Sequence, residues 1–217
     1  NLLLFNNAIY GLTKGKYSPT SPVSTRSPST PGGSVEAPVN AAAFALGAGA
    51  RFVARSYDVA QRHLVDTLTR AQAHRGASFV EILQNCIVYN ADVFADVTDK
   101  SVAGDAQIHL THGAPLLFGK ENDRGLRLNP QTLSIEAVTL GEDGITEKDI
   151  LVHDETNPVL AGLLGTMAPP KLPEALGVLY CAPDEAPAAT EQELPSRDIM
   201  AERLNALMRK GHTWHVA

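Results

Sequence analysis

The sequence predicts an α/β protein: a parallel sheet wrapped by helices and continued by a C-terminal α+β extension. Three observations predict it. LLLF, FVAR and FVEIL are short, bulky apolar runs of the kind expected for strands buried on both faces. Between them lie a loop and a helix, then a second helix, which is the rhythm of a wound parallel sheet. From about residue 91 the apolar runs shorten and alternate with turns such as NDRG and EDG, so the pattern changes there.

The first strand covers 2–5 and runs directly into Asn6-Asn7. A strand buried on both faces rarely opens a domain at its first residue, so the sequence is expected to have lost a beginning. Residues 11–38 are rich in Ser, Thr, Pro and Gly and read as a loop. Composition alone fits a flexible linker, whereas a loop of this length in a compact domain more often covers a site or binds a ligand. A small-residue helix over 40–46 follows, introduced by Pro38 and Asn40 and closed by Gly47 and Gly49. After a strand over 52–55, Asp58 is placed to cap a long helix to Arg75, with Val59, Leu64, Leu68 and Ala71 on one face and Gly76 as its stop. Residues 79–83 form the third strand and lead into Gln84-Asn85-Cys86. In the extension, β-like runs are expected over 108–111, 116–118 and 133–140, a helix over 158–167 and a strand over 176–180. An acidic, Pro/Ala-rich connector over 182–195 precedes an amphipathic last helix over 199–210, ended by Gly211.

Composition removes several function classes. The chain carries 18 Lys and Arg against 24 Asp and Glu, for a net charge of −6, and its basic residues are scattered. Nucleic-acid binding needs them clustered. No apolar run reaches membrane-spanning length and the N-terminus does not have the order of a signal peptide, so a cytoplasmic protein is expected. Two cysteines, Cys86 and Cys181, make neither a disulfide framework nor a zinc site.

Three features carry chemistry. Asn6-Asn7-Ala8-Ile9 follows a strand, and an amide with a backbone carbonyl two residues later can offer two neutral oxygens to a magnesium ion that also binds a diphosphate. Taken alone, Asn-Asn also fits a plain turn whose dihedrals Asn tolerates. Cys86 follows another strand; by itself it reads as a small core residue or as one arm of an iron–sulfur cluster. The histidines receive no role: His212 and His215 flank Trp214 in the tail, beyond a helix that Gly211 ends, and His109 and His112 have no neighbouring carboxylate in sequence. Asn6-Asn7 and Cys86 both fall just after strands, the end of a wound sheet where ligands sit.

In this order the two stretches FNNAIYGLTKGKYSPTS and GASFVEILQNCIVYN resemble the β subunit of the 2-oxoacid:ferredoxin oxidoreductases, most of all the 2-oxoglutarate branch. The first resembles that family's NNxIYGLTKGQxSPT segment and the second its VEIxQxCxxFN segment, while GAPLLFG and LGVLY fit its pattern more weakly further on.

The resemblance implies a thiamine diphosphate enzyme whose β subunit holds the diphosphate through Mg²⁺ and houses a [4Fe–4S] cluster. Residues 1–95 then correspond to the C-terminal half of the thiamine diphosphate and magnesium domain, and 96–217 to the β-subunit extension. Asn7 matches the side-chain Mg²⁺ ligand, Ile9 the backbone-carbonyl ligand and Cys86 one of four cluster cysteines. Tyr10, Gly11, Leu12 and Thr13 open a loop to Lys16 that lies beside the reactive thiazolium, and Lys14 matches a position suited to hold a substrate carboxylate. Lys16 departs from the family's Gln, replacing a donor and acceptor with a cationic donor. An upstream GDGD aspartate and three further cysteines belong to the family pattern, so both cofactor sites are expected to be incomplete in this stretch alone and the isolated piece inactive.

The implied reaction is oxidative decarboxylation of a 2-oxoacid to its acyl-CoA, with electrons leaving through the cluster to ferredoxin. The implied partners are an α subunit, coenzyme A and ferredoxin. Pyruvate or a branched-chain oxoacid would alter no residue that can be named. A non-oxidative thiamine enzyme would share the Asn turn but have no use for Cys86, and a noncatalytic remnant that only binds the α subunit is the remaining alternative.

Overall fold

A computed structural model describes residues 1–182 and 197–210. In chain order its elements are β1 (Leu2–Asn6), α1 (Ala41–Gly47), β2 (Phe52–Tyr57), α2 (Gln61–Ala73), β3 (Ser78–Leu83), α3 (Ala95–Thr98), α4 (Ala103–Ala106) and β4 (Gln107–His109). There follow β5 (Leu117–Phe118), β6 (Arg124–Asn129), β7 (Ser134–Thr139), a 3₁₀ turn at Glu147–Asp149, α5 (Pro158–Gly165), β8 (Glu174–Cys181) and α6 (Arg197–Met208).

The main sheet has the order β1-β3-β2-β8-β4. Its first three strands are parallel, as the wound pattern requires, and β8 joins β2 antiparallel. A smaller antiparallel sheet holds β5, β6 and β7. One face of the main sheet packs Val53, Ile108, Ala175 and Leu179 together with Leu164 of α5 and with Phe118 and Leu126 of the small sheet. The other buries Phe52, Ala54, Val80 and Ile82 against Ala71 of α2. A fully buried Leu in such a core contributes about 1.5–3 kcal/mol. Strands from both sides of residue 95 thus share a sheet and a core, and the described residues 1–182 belong to one compact unit.

The fold class stands as expected, with differences that have physical causes. β1 is parallel to β3 but lies at the sheet edge, so Leu2, Leu3 and Phe5 remain 58 %, 42 % and 54 % exposed rather than buried on both faces. Asp58 does not cap α2: its N–H continues the ladder by donating to the Leu83 carbonyl (3.0 Å), and the helix starts at Gln61 behind Ala60, which makes no side-chain cap. The helix also stops at Ala73, before Arg75. Asn40 caps α1 as expected, accepting from the Ala43 N–H (2.8 Å) while its own amide donates to the Gly165 carbonyl (2.8 Å), which fastens α1 to α5. Strand β6 goes unseen in the sequence because Asn122-Asp123-Arg124-Gly125 reads as a turn, whereas Arg124 and Gly125 already pair with β5 and β7.

The last helix, α6, belongs to a second unit and is described by itself; residues 183–196 and 211–217, with the expected connector, Gly211, His212, Trp214 and His215, lie outside the described residues. No helix among the described residues is long and apolar enough to cross a membrane.

Candidate functional site

The two motif stretches meet at the carboxyl ends of β1 and β3, which pair in parallel with Asn6 opposite Leu83. Just past that point Asn90 clamps the turn after β1. Its side-chain amide donates to the carbonyls of Asn7 (3.1 Å) and Ala8 (3.3 Å), while its N–H closes a turn onto the Cys86 carbonyl (2.8 Å).

The turn itself is unusual backbone. Ala8 has φ +50°, in the left-handed region, and both flanking asparagines brace it: Asn6 Oδ1 accepts from the Ala8 N–H (3.1 Å) and Asn7 Oδ1 from the Ile9 N–H (3.3 Å). Left-handed backbone costs a residue with a Cβ about 1–2 kcal/mol, so something must hold it there. The loop provides further props. Thr20 Oγ1 donates to Asn6 Oδ1 (2.7 Å) and Ser21 Oγ to the Ala8 carbonyl (2.5 Å). The carbonyls of Asn7 and Ala8 are therefore taken, whereas the Ile9 carbonyl accepts no hydrogen bond among the described residues, although Ile9 is only 6 % exposed. That carbonyl is open to a partner from outside the described residues.

Residues 10–16 make a tight loop closed by the Tyr10 N–H donating to the Lys16 carbonyl (2.7 Å) and the Gly15 N–H to the Tyr10 carbonyl (3.1 Å). The Lys16 contact is made by backbone, so the side-chain change at that position leaves it intact. Lys14 has φ +62° and projects into solvent with Leu12 and Thr13, and it forms no ion pair among the described residues. The loop closes onto the second motif: a Cβ on Gly11 would sit at ordinary contact distance from Cys86 Sγ (3.5 Å), whereas at Gly15, where φ is +89°, one would crowd the Tyr89 ring at 3.1 Å.

The Ser/Thr/Pro stretch is bonded to itself and to the turn, with Ser18, Ser21, Ser27 and Ser34 all buried. Its inner part is pinned by the Ser24 N–H to the Ser34 carbonyl (2.7 Å) and by Ser34 Oγ to the Pro22 carbonyl (3.0 Å). A flexible linker would leave these hydroxyls in water, so the structure favours the site-covering reading.

Cys86 is half-buried and free. Backbone N–H groups of Tyr89, then Val88, and Asn90 converge on its sulfur and hold the thiol below its ordinary range. Burial and the Glu155 carboxylate push the Cys181 thiol the other way. In metal-free protein Cys86 is therefore expected to become alkylated by iodoacetamide from a lower pH than Cys181, as read by peptide mass spectrometry; a common midpoint for the two would contradict the N–H cradle.

Sequence reasoning missed what lies beneath the turn. Asn6 Nδ2 donates to Glu81 Oε1 (2.8 Å), Glu81 Oε2 accepts from Arg55 Nε (2.8 Å), and Arg55 Nη1 donates to Glu174. These groups border a cavity of about 450 Å³ with Asn6, Thr20 and Phe94. Burial works against charge on Arg55, but Glu174 and Glu81 outweigh it and hold the guanidinium above its usual value, while burial pushes the Glu174 carboxyl up against the pull of Arg55. The signal was present: Arg55 and Glu81 interrupt the apolar strands FVAR and FVEIL, and charges on neighbouring buried strands need each other.

The arrangement fits part of two cofactor sites. Asn7 Oδ1 and the Ile9 carbonyl are hard neutral oxygens suited to Mg²⁺. Cys86 is a single thiol predisposed to ionise. No cluster of three or more His, Cys, Asp or Glu suited to a metal occurs among the described residues, so neither set is complete by itself.

Residues 1–82 match the family model described as thiamine pyrophosphate enzyme, C-terminal TPP binding domain. Over 99 % of its length the chain is 36 % identical to the 2-oxoglutarate oxidoreductase subunit KorB of Mycobacterium tuberculosis, covering 58 % of that protein. It is 43 % identical over 91 residues to the β subunit of 2-oxoacid:ferredoxin oxidoreductase 2 of Aeropyrum pernix, covering 41 % of this chain and 29 % of the relative. A solved 2-oxoglutarate:ferredoxin oxidoreductase from Magnetococcus marinus, with 2-oxoglutarate, coenzyme A and succinyl-CoA bound, shares the fold over 98 % of this chain and 54 % of its own, with a TM-score of 0.56 and 23 % identity. The chain thus spans little more than half the length of its longest matches. It is homologous over nearly all of its length to the C-terminal part of a 2-oxoglutarate oxidoreductase subunit KorB, and it shares the fold of the solved oxidoreductase.

Proposed function

We propose that this chain forms part of the β subunit of a 2-oxoglutarate:ferredoxin oxidoreductase, a cytoplasmic enzyme that converts a 2-oxoacid and coenzyme A to acyl-CoA and CO₂ and passes electrons to ferredoxin. One observation carries the reading. The Asn turn after β1 and the cysteine segment after β3, 79 positions apart from Asn7 to Cys86, are held side by side by the Asn90 clamp and the approach of Gly11 to Cys86. A non-oxidative thiamine enzyme needs the first segment but has no reason to fasten a cysteine to it.

Thiamine diphosphate, when bound, supplies the carbanion chemistry and electron sink for decarboxylation, and the cluster supplies a one-electron exit. This chain's share is binding and positioning. Asn7 and Ile9 hold the Mg²⁺ that neutralises the diphosphate, Tyr10 to Thr13 line the cofactor, and Lys14 at the exposed tip offers its ammonium to a substrate carboxylate. Cys86 gives the cluster one thiolate, and the N–H groups around its sulfur stabilise the negative charge. The other ligands and the substrate pocket come from the rest of the β subunit and from an α subunit. On this reading residues 1–95 bind cofactor and 96–217 form the extension, and the part of the extension up to residue 182 shares a core with the first segment.

Asn7→Ala removes one oxygen from the magnesium set. The Mg²⁺ concentration needed to retain thiamine diphosphate is expected to rise by about 10- to 100-fold, a loss recovered at high Mg²⁺. Equilibrium dialysis of the native complex against a Mg²⁺ series measures it, and an unchanged requirement would remove Asn7 from the site.

A further inference from the structure

Glu81 lies in the middle of FVEIL, inside the second motif, and the proposed function gives it no task. It is 3 % exposed and both its oxygens are occupied, Oε1 by Asn6 Nδ2 and Oε2 by Arg55 Nε, each at 2.8 Å. Above it, the Asn6 amide oxygen accepts from the Ala8 N–H (3.1 Å) and Thr20 Oγ1 (2.7 Å). An amide has one donating and one accepting end, so the carboxylate below decides which end faces the turn. With the amide reversed, its oxygen would confront Glu81 and its NH₂ would confront the Ala8 N–H, leaving two buried groups unpaired.

The same turn has a second property. Its first two carbonyls are bonded within the protein, by Asn90 and Ser21, and only that of Ile9 is left for an outside partner. A device that satisfies the Asn7 and Ala8 carbonyls while leaving that of Ile9 open selects which oxygen is presented.

We propose that Glu81, neutralised by Arg55, is a positioning residue: it locks the Asn6 amide and through it the left-handed Ala8 turn, so that Asn7 Oδ1 and the Ile9 carbonyl face one divalent cation together. This inference rests on the reading of Asn7 and Ile9 as Mg²⁺ ligands.

The test uses the native complex carrying Asn6→Asp, Glu81→Gln, both together, or Asn7→Ala, and reads the Mg²⁺ concentration for half-maximal thiamine diphosphate retention beside the melting temperature. Asn6→Asp sets two carboxylates against each other, and the Mg²⁺ requirement is expected to rise about tenfold or more. The double variant restores the contact between positions 6 and 81 with its polarity reversed and keeps the others: the amide introduced at position 81 donates to the carboxylate introduced at position 6 and accepts from Arg55, while that carboxylate accepts from the Ala8 N–H and Thr20 Oγ1. It is expected to recover most of the loss. A double variant that melts like the native protein but needs as much Mg²⁺ as Asn6→Asp would overturn the proposal. So would a fall in melting temperature with no change in Mg²⁺ requirement, the mark of a purely structural contact. If Asn6→Asp does not fold, the double variant decides alone: a native requirement supports the relay and a raised one overturns it. Asn7→Ala separates the two levels. A raised requirement there with none in Asn6→Asp removes only the relay, whereas no effect of Asn7→Ala removes the magnesium reading and the relay with it.

Discussion

Replacing Arg55 with Met is expected to be the most damaging single change to stability. Arg55 is the only cation between Glu81 and Glu174 among the described residues, with its side chain 4 % exposed. The substitution keeps much of the side-chain volume but leaves two carboxylates in the same buried pocket with nothing to offset them. Removing one partner from a buried ion pair costs about 3–5 kcal/mol. For a unit of this size that corresponds to a fall in melting temperature of roughly 6–20 °C.

The sign of the pH dependence follows from the same groups. Burial already raises the Glu174 carboxyl in the intact protein, and loss of Arg55, whose charge pulls it down, raises it further beside the Glu81 carboxylate. A carboxyl whose folded-state value is raised stabilises the fold at low pH and withdraws that contribution as pH rises through the folded value. The deficit of Arg55→Met is therefore expected to be smaller near pH 5 than near pH 8. Adding Glu81→Gln and Glu174→Gln should relieve most of it at pH 8. Thermal unfolding across that range measures both effects, and a deficit independent of pH would mean that packing, not charge, explains the role of Arg55.

Replacing Cys86 with Ser is expected to have the largest effect on function. Loss of a residue that merely orients a metal ligand already costs 10- to 100-fold, so, with Cys86 as the cluster ligand proposed above, its replacement should reduce ferredoxin reduction by more than about 100-fold. The fold should be little changed, because Cys86 is half-buried at a turn rather than in either core cluster. Iron content and electron paramagnetic resonance of the variant complex, compared with its thiamine diphosphate content, separate cluster loss from general damage. Retention of a full cluster in Cys86→Ser would contradict the assignment, and loss of both cofactors together would point to misfolding.

Much of the fold could be read from the sequence because local and global signals agree there. The parallel strands are apolar runs, Asn40 is a good N-cap and Asn157 stands before Pro158 at the head of α5. Where the reading failed, tertiary partners overrode local preference. Asp58 looks like a cap, but its N–H is needed by the β2–β3 ladder. β1 looks doubly buried, but it has a single neighbour in the sheet. The Ser/Pro/Thr loop resembles a linker in composition, and only the structure shows its hydroxyls spent on the Asn turn. At the site, Asn7 and Cys86 were legible because the two long stretches around them resemble the β-subunit family; alone, each also fits a plain turn or a small core residue. Arg55, Glu81, Glu174 and Asn90 were not, nor was the Asn6–Glu81 bond, because their importance lies in contacts across 26 to 119 positions of chain that no local pattern records.

The most direct test of the proposed function is the visible absorbance of the native complex, purified without oxygen, before and after addition of 2-oxoglutarate and coenzyme A. The expected result is an iron–sulfur absorption that bleaches on adding both and returns with oxidised ferredoxin. Bleaching by pyruvate or a branched-chain oxoacid in place of 2-oxoglutarate would change the substrate and keep the chemistry. A complex with no such absorption, or one that stays unbleached with every 2-oxoacid, would contradict the proposed function.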